Sequence, residues 1–280
     1  MKFLENIENG TTDIKKMGII KALVVMIISI LLEGLGQVPE EFINLFSGSL
    51  ERAVPFVIFI AGVMVKYYVI IVLLKWLGNK ATNTKPKQPL NIMSFVYVAL
   101  MIIAFRVMFD NSLNLWISKI SIPDFINEVF QEQAVSPIIL ILSIVVVAPI
   151  YEEIIFRGIL LKGMANKINP TIALVISALF FAIVHFNVPQ GINAFFLGLI
   201  IGAIYLKSNS IYLGIFTHFA NNFLAITVSS AFVGIEGKYA MEMHGMFFIY
   251  GFILFIMSYK GYNKNKIINA PDIYKEFIEI

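Results

Sequence analysis

The feature that most constrains this chain is its series of long apolar runs. Eight candidate spans fall at roughly 17–35, 54–77, 92–109, 137–157, 171–187, 192–206, 211–233 and 245–259. A helix rising about 1.5 Å per residue needs about 20 residues to cross about 30 Å of hydrocarbon. Spans five, six and eight are short and call for tilt, extension or shielding by neighbours. The runs show no two-residue alternation, so helices rather than a barrel are expected. The expected fold is therefore all-α: a polytopic membrane protein of about eight transmembrane helices in one bundle. Composition agrees. Hydrophobic residues make up 59% of the 280 residues and charged residues 14%, against about 25% charged in a soluble domain.

The charged residues are distributed by side. Lys15, Lys16 and Lys21 precede span one. Lys75, Lys80, Lys85 and Lys87 follow span two. Arg157, Lys162 and Lys167 follow span four, Lys207 follows span six, and Lys260, Lys264 and Lys266 follow span eight. The alternate loops carry Glu40, Glu41, Glu51, Asp124, Glu128, Glu132, Glu236 and Glu242. Basic residues collect on the cytoplasmic side, so a multi-pass protein of the cell membrane is expected, with both termini cytoplasmic. No basic–apolar–small pattern opens the chain, so no cleaved signal peptide is expected. A net charge of +3 without clustering excludes nucleic acid as a partner. The absence of cysteine excludes disulfides, thiolate metal sites and a cysteine nucleophile. The expected divisions are 1–110 (three helices), 137–233 (a functional core) and 245–280 (a last helix and tail), within one membrane domain. In the longest outer loop, Trp116, Phe125 and Phe130 are expected on the membrane surface.

Ionisable groups inside spans are costly, by about 2.5–3.5 kcal/mol each on insertion scales. Each one therefore points to a partner or a function. Span four reads IILILSIVVVAPIYEEIIFRGIL. Adjacent helical residues lie about 100° apart, so Glu152 and Glu153 face different directions. Glu153 and Arg157, spaced i,i+4, are expected to pair. Glu152 points elsewhere, as a candidate general base or acid. The competing reading is a helix end whose acids are simply solvated. Pro149 cannot donate to the carbonyl of Val145, so a kink is expected there. His185 ends the run ALFFAIVHF one turn after Phe181, and His218 has Asn222 one turn later. His244, beside Met241 and Met243, reads as a surface residue of the outer loop. Lys66 and Arg106 are intramembrane charges whose bland reading is snorkelling or pairing, for Lys66 with Glu33.

Counting along the chain gives depth. Glu152 and His185 are equidistant from the turn Lys167–Asn169, provided helix four runs on to about Asn166. With further turns near Pro189–Gly191 and Ser208–Ser210, His218 comes within about 6 Å of the height of His185. Glu152, His185 and His218 are thus able to share one layer. A carboxylate and an imidazole hold and deprotonate a water, while a second imidazole and a carboxamide donate to an oxyanion. The same acid and histidines also form a donor set for one divalent metal such as zinc. The expected cofactor is therefore none, or one such ion.

Taken together, Glu152-Glu153-x-x-x-Arg157, Phe181-x-x-x-His185 and His218-x-x-x-Asn222 resemble the three motifs of the CAAX-protease and bacteriocin-processing (CPBP, or Abi) family of integral-membrane proteases. The resemblance covers Glu152 to Asn222. It implies an eight-helix bundle with a wet intramembrane cavity and endopeptidase activity. It also implies that Glu152 and His185 activate water, that His218 and Asn222 support the oxyanion, and that Glu153 and Arg157 shape the site. The expected substrate is a membrane-associated peptide or protein precursor. Two rivals remain: a non-enzymatic bacteriocin-immunity or regulatory role, and transport. No H-E-x-x-H, and no G-x-G-D, supports another intramembrane protease class. Ser47 and Ser49 lie in an outer loop, which makes a serine enzyme a poor reading.

Overall fold

A computed structural model describes residues 2–35, 54–80, 90–124, 136–227, 235 and 237–265. Glu40, Glu41, Ser47, Ser49, Glu51, Lys85, Lys87, Phe125, Glu128, Phe130, Glu132, residues 228–233, Glu236 and Lys266 lie outside them. In chain order the elements are α1 (Lys2–Glu8), β1 (Thr12–Ile14), α2 (Ile19–Leu35), α3 (Val54–Leu77) and β2 (Gly78–Lys80). Then come α4 (Ile92–Asp110), α5 (Asn114–Ile117), α6 (Pro137–Ala165), α7 (Pro170–Ile183), α8 (Val188–Ser208), α9 (Ile211–Thr227) and α10 (Ala240–Lys264). The fold is that of an all-α polytopic membrane protein, with one two-stranded antiparallel ribbon that pairs β1 with β2.

Each expected apolar run contains a helix. Five of these, α3, α4, α6, α8 and α10, are long and apolar enough to cross a membrane. α2 has 17 residues, α7 has 14 and α9 has 17. Two short runs prove longer than their apolar cores: α8 begins at Val188 and α10 extends from Ala240 to Lys264. Helix ends tolerate caps and polar residues that a hydropathy window rejects.

The chain forms two compact units. The first comprises Met1–Thr84 and Pro123–Phe180. Within it, the backbone N–H of Met17 donates to the Gly163 carbonyl and that of Lys15 to Leu77. Asn166 donates to the Ile14 carbonyl, and Lys162 pairs with Asp13 at 3.7 Å. The N-terminal ribbon is thereby tied to the ends of α3 and α6. On α3, Phe56, Val57, Ile60, Met64 and Tyr68 are exposed. Such a face is stable only against lipid or another apolar surface.

The second unit comprises Lys85–Ile122 and Phe181–Ile280. Its core joins Val98 and Met101 of α4 to Ile204 of α8, Leu213 of α9 and Tyr262 of α10. α4 and α10 approach closely at Gly251, where a Cβ would lie 3.0 Å from the Ala104 carbonyl oxygen. Small residues allow such backbone approach where the hydrophobic effect contributes little between helices. Trp116 on α5 is exposed, with Lys119 over its ring at 5.2 Å.

Candidate functional site

α6 carries the acidic motif. It runs unbroken to Ala165 with Asn166 as its C-cap, so helix four does extend as the depth count requires. The turn before Pro170 falls where it was expected. The winding changes around the motif. Leu142–Val147 and Ile154–Leu161 are π-helical, and Ala148–Glu153 between them is α-helical. Pro149 removes one helical donor, and wider π turns on both sides accompany its loss. π segments inside α-helices are frequent at functional positions.

Glu153 and Arg157 form the expected pair at 2.9 Å, with side chains 0% and 1% exposed. The solvated-end reading therefore fails for Glu153. Arg157, counted above among the basic residues that follow span four, lies inside the helix. Glu152, one position earlier, is half-buried. Lys66 and Arg157 are both within electrostatic reach of its carboxylate. Lys66 pairs with Glu33, as its bland reading proposed, and also lies 4.9 Å from the centre of the Tyr151 ring. Ser177 of α7 donates to the Phe156 carbonyl at 3.0 Å and pins α7 to α6 inside the second π segment.

The histidines belong to the second unit. α7 ends at Ile183, and His185 stands in the turn after it, not within the helix. This corrects the expected turn at Pro189–Gly191: the chain reverses over 184–187, and α8 starts at Val188. The cause is local. Phe186 adopts the left-handed conformation, with φ of 54°. Asn187 caps α8, accepting from the Gln190 N–H, and Pro189 sits in the first turn, where a proline is favourable. Asn187 also donates to the His185 carbonyl at 2.9 Å. Gly191 permits the tight reversal, since a Cβ there would lie 3.3 Å from the Ala182 carbonyl oxygen. Asn187 was missed in the sequence. An Asn two residues before a Pro at a helix start was the available signal.

His185 Nδ1 lies 2.8 Å from the Phe181 carbonyl oxygen. A carbonyl only accepts, so Nδ1 carries the proton and Nε2 of the neutral ring is an acceptor. The Phe181 ring meets both histidines edge-on, with centroids 5.1 Å from His185 and 5.5 Å from His218. One aromatic ring thus gathers two imidazoles, one from the turn after α7 and one from α9. His218 is buried on α9, which starts after a left-handed Asn209 in the expected Ser208–Ser210 turn. Asn222 follows one turn later and accepts from Asn221 at 3.1 Å through Oδ1, which turns its own Nδ2 donors elsewhere.

The structure thus brings Glu153 to Arg157, and His185 to His218 through Phe181. Glu152, Glu153 and Arg157 belong to the first unit, and His185, His218 and Asn222 to the second. His244 is not a surface residue. It is buried on α10, with Nδ1 2.7 Å from Oδ1 of Asn111. The extended start of α10 turns it inward, where the Asn111 amide supplies the partner a buried imidazole requires. The intramembrane charge of Arg106 is likewise paired, with Asp110 at 2.8 Å.

By ligand type, Glu152, His185 and His218 suit a zinc-like ion, and a carbonyl on Nδ1 of His185 is a common outer partner for a ligating histidine. Within either unit taken alone, no three His, Asp or Glu side chains among the described residues gather closely enough to hold a metal.

Residues 134–224 match the family model described as Rce1-like, type II CAAX prenyl endopeptidase Rce1-like. No curated protein and no solved structure gives a match. This match, over the stretch where all three motifs fall, supports a CAAX-type intramembrane protease family for the chain.

Proposed function

We propose that this protein hydrolyses a peptide bond in a membrane-associated peptide or protein precursor, with Glu152, His185, His218 and Asn222 as the catalytic residues. The observation that carries this reading is the fixed tautomer of His185, which leaves Nε2 as an acceptor beside the ring that also holds His218. In the proposed reaction, His185 Nε2 accepts one hydrogen bond from a water and orients it. Glu152 takes the proton as the water oxygen attacks the carbonyl carbon. His218 and Asn222 donate to the oxyanion that develops, each such donor being worth about 2.7–4 kcal/mol. The C–N bond then breaks and the proton on Glu152 passes to the leaving amine. Glu153 and Arg157 keep the helix rotated so that Glu152 faces away from the buried pair. A bound zinc-like ion would supply Lewis acidity to the same water. Both termini lie on the cytoplasmic side, and the biological role is precursor processing for a signalling or antimicrobial peptide.

The test compares secreted and membrane-bound peptides from wild-type, deletion and Glu152→Ala strains. Glu152→Ala and His185→Ala abolish processing at normal membrane levels. A phenotype that survives both changes replaces this reading with an immunity or regulatory role. Cleavage by purified protein that persists after chelation rejects the metal-assisted version.

A further inference from the structure

Lys66 is at the middle of α3, the most apolar place in a 24-residue span. A charge there is costly in lipid and calls for a partner or a task. Pairing with Glu33 at the end of α2 accounts for part of its cost. That pair alone does not account for where it sits. The Lys66 ammonium lies over the Tyr151 ring, and the neighbouring residue is Glu152, whose negative charge acts on Lys66. Tyr151 is itself buried, and its hydroxyl has no hydrogen-bond partner among the described residues. The ammonium of Lys66, held by Glu33 and seated over the Tyr151 ring, is therefore within electrostatic reach of the residue that the proposed chemistry needs.

We propose that Lys66 is a positioning residue that orients the Glu152 carboxylate, with Glu33 anchoring the ammonium and the Tyr151 ring setting its height. The inference rests on Glu152 being the base of the proposed protease. An opposite charge nearby narrows the directions a half-buried carboxylate adopts, and misplacing a base by about 1 Å costs on the order of 100-fold in rate. Glu33 serves a second purpose. It neutralises Lys66 in the apolar layer, so the pair is tolerated whether or not substrate is present.

The discriminating variant is Lys66→Gln/Glu33→Gln, which removes both charges and leaves neither partner orphaned. The assay uses the full-length protein in lipid vesicles. Its substrate is the peptide that is processed in the wild-type strain and left unprocessed in the deletion strain. The neutral pair is expected to lower kcat by about 10- to 100-fold with KM and melting temperature near wild type. Lys66→Arg, which keeps the charge, is expected to retain most of kcat. Wild-type kcat in the neutral pair overturns the inference, because Lys66 then serves only Glu33. A kcat in Lys66→Arg as low as in the neutral pair also overturns it. Undiminished cleavage by Glu152→Ala, by contrast, overturns the protease site itself.

Discussion

Two helices carry an acid and an arginine four residues apart, and the two pairs do different things. Glu153 and Arg157 lie inside α6, at the junction of an α-helical and a π-helical segment, and are almost wholly buried. Arg106 and Asp110 close the end of α4. Asn114 donates to Asp110 there, and the next residue, Asn111, holds His244. The first pair sits next in sequence to a half-buried carboxylate, on the helix that carries the acidic motif. The second ties a helix end to its neighbours through further side chains. Identical spacing thus predicts that a pair forms but not what it serves. The surroundings decide that.

The contrast is broken or sharpened by substitution. The largest effect is expected for Arg157→Ala. It leaves a carboxylate buried without its guanidinium, at a cost of about 3–5 kcal/mol, so the protein should fall sharply in membrane level. A normal level would mean that water reaches Glu153. The neutral pair Glu153→Gln/Arg157→Met should recover much of that stability yet cleave poorly, whereas Asp110→Asn/Arg106→Met should keep cleavage. Equal activity of the two double variants would erase the distinction. Asn111→Ala strands the buried His244 and should cost about 1–3 kcal/mol in thermal unfolding, with turnover intact. The smallest effect is expected at Phe186. Relieving a left-handed non-glycine residue with Phe186→Gly should gain about 1 kcal/mol. A loss instead would show that the ring, not the backbone, holds the His185 turn.

Much of the site was legible because it is local. The i,i+4 rule brings Glu153 to Arg157, and the insertion cost of a lone lysine points from Lys66 to a carboxylate such as Glu33. The turn before Pro170 and the Ser208–Ser210 turn are also written in short range. The His185 turn was misplaced because hydropathy sees Phe186 as a continuation of span five. Its left-handed backbone and the Asn187 cap end the helix instead. His244 was misread for a related reason: a polar flank looks exposed until a partner such as Asn111 is known.

Apolar run length and the requirement that every backbone group be satisfied in lipid determined, from the sequence alone, that this chain is a bundle of membrane helices with three motif-bearing segments. Tertiary structure decided the rest. The Phe181 carbonyl sets the tautomer of His185, and the Phe181 ring gathers His185 and His218. Lys66 arrives over the ring of Tyr151, the residue before Glu152, from a separate helix far earlier in the chain. Contacts between helices depend on how side chains pack at long range, and no spacing rule along one helix carries that information.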